Sequence, residues 1–131
     1  MADTGKLLLR LALGLMIILH GISKVINGLG PVLGAVEKAG LPQPVAYLAY
    51  VGEVLAPLLV IVGFWTRPAA LVIAINMIFA VALVHTSQFF TLSKTGGWAL
   101  ELQGMYFFTA VAISLLGAGR YSLGGTTGRW N

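Results

Sequence analysis

The sequence predicts an all-α membrane protein, an antiparallel bundle of four transmembrane helices, and three observations carry that reading. Of 131 residues, 58% are hydrophobic and only 9% are charged, giving a mean hydropathy of +0.92. A soluble domain averages about 25% charged residues, so a chain this small and apolar has too little polar surface to stay in water. The apolar residues gather into four segments, 7–26, 44–65, 69–87 and 98–116. Each has about the twenty residues a helix needs to cross roughly 30 Å of hydrocarbon. The connections between them are short, which makes sequential helices antiparallel neighbours in one domain.

The first segment, Leu7–Ile26, carries Arg10, His20 and Lys24. Each charge near a bilayer centre costs at least about 2.5–3.5 kcal/mol on insertion scales, so these side chains should face protein or a wet cavity. At about 100° per residue, Arg10, Gly14, Gly21 and Lys24 lie within roughly 40° of one line, with His20 about 80° away. That line is the working face, and the Leu and Ile residues face lipid. Basic residues before an apolar run also mark signal peptides. Here His20 and Lys24 interrupt the run and no small-x-small cleavage site follows, so a retained helix is expected.

Asn27 to Pro31 breaks the first helix, and 32–39 reads as a short interfacial helix. Pro44 suits the first turn of the second segment. There Ala46, Ala49, Glu53 and Ala56 share one face, with Gly63 near its edge; small residues let helix backbones approach in lipid, so Glu53 should point into the bundle. Thr66-Arg67-Pro68 reads as a tight turn before the third segment. Asn76, about 180° from His85, reads as a contact to another helix or subunit. The fourth segment ends at Gly117–Arg120, and the Gly-rich stretch 121–131 reads as a loose tail.

The formal charge of +4 comes from eight Lys/Arg and four Asp/Glu. The basic residues stand singly near the ends of apolar runs, which speaks for topology and lipid anchoring and against nucleic-acid binding. One side of the bundle collects Lys6, Arg10, Arg67, Arg120 and Arg129, and the other Lys24, Lys38 and Lys94. This bias places both termini in the cytoplasm. The chain has no cysteine, which excludes a disulfide framework and a thiol relay of its own. Arg10, about one turn inside its end, is expected to snorkel or to bond a carbonyl, and Arg10→Lys is expected to be mild.

His20, Lys24, Glu53, His85 and Glu101 are the candidate site, because all four helices then contribute ionisable groups to the outer half of one bundle. The plainer alternative is charge compensation, with Glu53 and Glu101 pairing with cations to hold the helices in register. Two His and two Glu could bind a metal, but no i,i+4 ligand pair is present, and a haem beside two carboxylates and a Lys would be odd. A quinone-type ligand fits better. Its carbonyls need hydrogen-bond donors and a proton source, for which His20 and His85 serve, with Glu53 and Glu101 as catalytic carboxylates. Phe79, Phe89, Phe90, Tyr106, Phe107 and Phe108 are available as walls, although aromatics at helical spacing also serve ordinary packing.

These motifs together resemble the DoxX family of small prokaryotic membrane proteins. The resemblance is carried by Arg10-Leu11-x-Leu13-Gly14, His20-Gly21-x-x-Lys24, Gly40-Leu41-Pro42, Glu53, Gly63-x-x-Thr66-Arg67-x-Ala69-Ala70, Ala80 ahead of His85, Glu101, and Gly117-x-Gly119-Arg120-x-Ser122-Leu123. Gly124 stands where that family's tail often carries an acidic residue. The resemblance implies four helices in a prokaryotic plasma membrane and a link to redox metabolism: thiosulfate:quinone oxidoreduction, oxidoreductase complexes of oxidative stress, or quinone and catechol resistance. A redox-associated subunit that binds a quinone and works with a membrane or peripheral redox protein is therefore expected. The alternatives are a non-catalytic anchor or assembly subunit, and a small transporter or proton path. A homo-oligomer remains open.

Overall fold

The structure, a computed structural model, describes residues 1–84, 92, 94, 96–126 and 129–131. It is helical: α1 (Ala2–Asn27), α2 (Gly30–Lys38), α3 (Gln43–Val62), α4 (Thr66–Val84) and α5 (Glu101–Leu116). Among the described residues there is no β-strand, only an isolated bridge between Leu92 and Trp98. By length and composition, α1 and α3 can cross a membrane, whereas Thr66–Ala82 and α5 are apolar but shorter. Only 28% and 33% of the apolar windows of α1 and α3 are buried, so most of each window faces outward, unlike the core helix of a soluble protein.

The helices pack in the cyclic order α1–α3–α4–α5, with α4 against α5 the most extensive contact, and α2 rests on the start of α3 and on α4. Size segregation explains this packing. The buried cluster includes Ala56, Ala69, Ala70, Ala74 and Ala110 beside Leu13, Ile17, Val60, Ile73 and Ile113. Large apolar side chains such as Leu15, Leu19, Leu55, Leu58, Leu71, Ile78, Met105 and Phe108 are exposed. Lipid gives apolar side chains no reason to hide, so close backbone approach through small residues takes over the work of the core.

The predicted working face of α1 is its seam with α3. A Cβ on Gly14 would overlap Ile61, and one on Gly21 would overlap the Glu53 carbonyl oxygen. Arg10 and Lys24 bracket the glycines and both bond α3. On α3, Ala46, Glu53 and Ala56 are buried as expected.

Helix α3 is irregular for a reason its sequence contains. It opens as a 3-10 turn over Gln43–Tyr47, turns α, widens to a π-turn over Val51–Leu55, and resumes as α from Ala56. Pro57 has no N–H for the carbonyl of Glu53, four residues back, and in a regular α-helix its ring would clash there. Widening the turn before Pro57 relieves that clash. Such π-turns recur at functional sites, and Glu53 stands in the middle of this one.

Two sequence expectations need correction at the opposite end of the bundle. The turn between α3 and α4 is Gly63–Trp65, with Gly63 left-handed at φ 76° and Trp65 at φ 50°, and Thr66–Pro68 is the first turn of α4. Pro68 is tolerated there because first-turn N–H groups lack helical partners. The cap comes from the far end of the chain. Asn131 Oδ1 accepts from Thr66 N and Oγ1, and the Trp130 carbonyl accepts from Arg67 N at 3.0 Å. The tail is thus tied down instead of loose. Leu123 N and Gly124 N also donate to the carbonyls of Val62 and Gly63 at the end of α3.

Arg10 lies at the same end, only 1% exposed. Its guanidinium donates to the carbonyls of Val60, Ile61, Ala118 and Tyr121 at 2.9–3.0 Å. It does not snorkel. It supplies partners and positive charge to the C-terminal carbonyls of α3, where the helix dipole is negative. Arg67 does the same for α5 through Ser114 and Leu115.

Candidate functional site

At the other end of the bundle from Arg10, the five helices line an open-mouthed cavity of about 770 Å3. Its wall is assembled from His20 and Lys24 on α1, Val36 and Lys38 on α2, Ala46, Ala49 and Glu53 on α3, Asn76, Phe79 and Ala80 on α4, and Gln103 and Tyr106 on α5. Helix α2 lies across it, with Val36 fully buried.

The strongest polar feature is the pair Lys24–Glu53. Lys24 Nζ lies 2.8 Å from Glu53 Oε1 and 2.6 Å from Oε2, so both carboxylate oxygens are engaged. The Glu53 side chain is 9% exposed and that of Lys24 24%, and both residues line the cavity. Gly21, one turn before Lys24, lets the α1 backbone meet that of Glu53 and brings the pair within reach. Tyr50 Oη donates to the Lys24 carbonyl at 3.4 Å and adds a second tie between the same helices.

His20 stands off this line, as the helical angle predicts, and faces α5. Its ring meets Tyr106 edge to face, 6.1 Å between centroids at 78°. His20 is an exposed residue and borders the cavity. Tyr106 brings a hydroxyl as well as an aromatic wall.

Three of the five predicted site residues therefore come together: His20, Lys24 and Glu53. Glu101 is exposed in the first turn of α5 and is not among the cavity residues, which begin on that helix at Leu102. His85 lies outside the described residues, as do Phe89 and Phe90. Phe107 packs against the core and Phe108 is exposed, each making an edge contact with the other, so neither forms the wall. Among the described residues no three His, Asp or Glu converge to hold a metal ion.

Sequence reasoning underrated Asn76. It is the interhelical contact expected, since its side chain packs where a Cβ on Gly52 would sit, but it also lines the cavity. An amide in an otherwise apolar helix was the available signal. Pro57, which sets the π-turn under Glu53, was a second.

Comparison with known proteins adds the family. A family model described as DoxX matches residues 5–86, which include His20, Lys24, Glu53 and Asn76. The chain is 30% identical over 105 residues to an uncharacterized protein of Haemophilus influenzae, covering 76% of this chain and 77% of that protein. No solved structure matches.

Proposed function

Because the chain belongs to the DoxX family, we propose that it is a redox-associated membrane subunit whose cavity binds a quinone or a similar small ring. One observation carries this reading: a partly buried Lys24–Glu53 pair lines a cavity of about 770 Å3 whose wall also holds His20 and Tyr106. Cavities of about 300–1,000 Å3 with apolar walls and a few convergent polar groups suit ligands of that size. Reduction of a quinone to a quinol takes two electrons and two protons, one proton to each carbonyl oxygen. Lys24 and Tyr106 would donate hydrogen bonds to the carbonyls, His20 would deliver protons, and Glu53 would hold Lys24 in place. The electrons would come from a partner redox protein.

All four long helices would cross a prokaryotic plasma membrane, with α2 lying at the interface over the cavity. Both termini would then be cytoplasmic. The chain has no cysteine, so single-cysteine variants report orientation cleanly. In intact cells an impermeant thiol reagent should label Lys38→Cys and Lys94→Cys but spare Thr4→Cys and Thr126→Cys, all at exposed positions. The reverse pattern would invert the topology.

Binding is the direct test of the ligand class. A water-soluble short-chain quinone, titrated into the purified protein by calorimetry, should saturate at one site per chain. Tyr106→Phe and His20→Leu should each weaken it by about five- to tenfold, the worth of about one hydrogen bond, with helix content unchanged. Absence of saturable binding would remove the quinone reading. Saturable binding indifferent to both substitutions would place the ligand elsewhere and favour the anchoring subunit.

A further inference from the structure

The charged residues divide unevenly between the two ends of the bundle. At the end with the α3–α4 turn stand Lys6, Arg10, Arg67, Arg120 and Arg129 against one carboxylate, Asp3. At the cavity end stand Lys24, Lys38 and Lys94 against Glu37, Glu53 and Glu101. The whole formal charge of +4 therefore sits at the first end. Asp3 is occupied there, accepting a hydrogen bond from Arg120 N at 3.1 Å.

The same end carries a collar of exposed aromatic residues. Phe64 and Trp65 stack at 6.3 Å, and Tyr121 and Trp130 are also exposed. Two guanidinium groups lie over their rings, Arg120 at 5.0 Å from Tyr121 and Arg129 at 5.3 Å from Trp130. Leu115 and Leu116 at the end of α5 and Leu123 in the tail are exposed at this end as well. Cations, aromatics and exposed leucines together at one end are the groups that a bilayer leaflet meets with its headgroups, interface and hydrocarbon.

From this we infer that the end built by Lys6, Arg120 and Arg129 is a docking surface for anionic phospholipid headgroups. The inference rests on the membrane-spanning reading above. Nucleic acid and acidic proteins offer the negative charge without the adjoining hydrocarbon, so the aromatic collar and the leucines favour lipid. Arg10 and Arg67 spend their guanidinium groups on carbonyls of the fold. Lys6, Arg129 and the N–H groups of Arg120 beyond its Nη2 bond to Tyr121 Oη at 2.8 Å are placed to meet phosphates, and the tethered tail fixes the two arginines beside the helix ends.

The test is native mass spectrometry of the full chain in detergent with equal amounts of phosphatidylglycerol and phosphatidylcholine. The wild type should retain phosphatidylglycerol preferentially, with a preference that weakens as salt is raised. Lys6→Gln, Arg120→Gln and Arg129→Gln should each reduce the preference, by up to about fivefold per charge, and together abolish it. Lys38→Gln with Lys94→Gln should leave it intact. Equal retention of the two lipids by the wild type would overturn the inference, as would a preference lost only with the cavity-end pair. If the triple variant fails to fold, Arg129→Gln alone decides, because its guanidinium is exposed. Release of the wild type from membranes by alkaline carbonate without detergent would overturn the membrane reading itself. A carbonate-resistant protein without lipid preference would overturn this inference only.

Discussion

Arg10→Lys should destabilise the protein by about 3 kcal/mol, the loss of at least two charge-assisted hydrogen bonds to buried carbonyls. A guanidinium spreads five N–H donors over a planar fork, and here it bridges four carbonyls from the end of α3 and the segment after α5. A lysine brings the same charge as a single point on a slimmer head. It cannot reach Val60 and Ile61 on one side while holding Ala118 and Tyr121 on the other. Carbonyls left without donors away from water each cost about 1–3 kcal/mol. Thermal unfolding of detergent-solubilised protein, followed by circular dichroism, should show a midpoint lower by roughly 10 °C. A midpoint within about 2 °C of wild type would show that the carbonyls find other donors. The sequence allowed a carbonyl partner beside snorkelling but led to the expectation of a mild Arg10→Lys, because one carbonyl and not four was foreseen.

Gly21→Ala should be as damaging and should also remove ligand binding. A Cβ there would overlap the Glu53 carbonyl oxygen and lie 2.6 Å from its carbon, and both atoms are backbone that cannot swing aside. Helix α1 would have to move off α3, and the Lys24–Glu53 pair, formed one turn further on, would open. Overpacking of this kind costs typically about 1–3 kcal/mol, and loss of a partly buried ion pair adds to it. Gly5→Ala in the same helix meets nothing within 4 Å. It should be neutral or slightly stabilising, since Ala suits a helix interior better than Gly by about 0.5–1 kcal/mol. Equal stability of the two alanine variants would contradict the close approach at Gly21.

The line of Arg10, Gly14, Gly21 and Lys24 was legible because a helical period converts four positions directly into one face. The small-residue face of α3 was legible on the same ground. Glu53 could be placed in the bundle with Lys24, Arg10 or an imidazole as its partner; the structure selects Lys24, while the π-turn around Glu53 was not read from Pro57. The α4 start was misplaced because its cap, Asn131, comes from 65 positions along the chain, and no local pattern contains that contact. Depth along helices grouped Glu101 with Glu53, yet distance from a helix end says nothing about the direction a first-turn side chain takes.

The central claim, that a quinone-like ring occupies the cavity beside His20 and the Lys24–Glu53 pair, is tested most directly by photolabelling with an azido-quinone and mapping the labelled residues. The account predicts label on His20–Lys24, Val45–Glu53, Asn76–Ala80 and Leu102–Tyr106, the cavity-facing stretches of four helices, and competition by unlabelled quinone. Label spread over exposed outer residues such as Leu15, Leu58, Leu71 and Phe108, and not displaced by competitor, would contradict it.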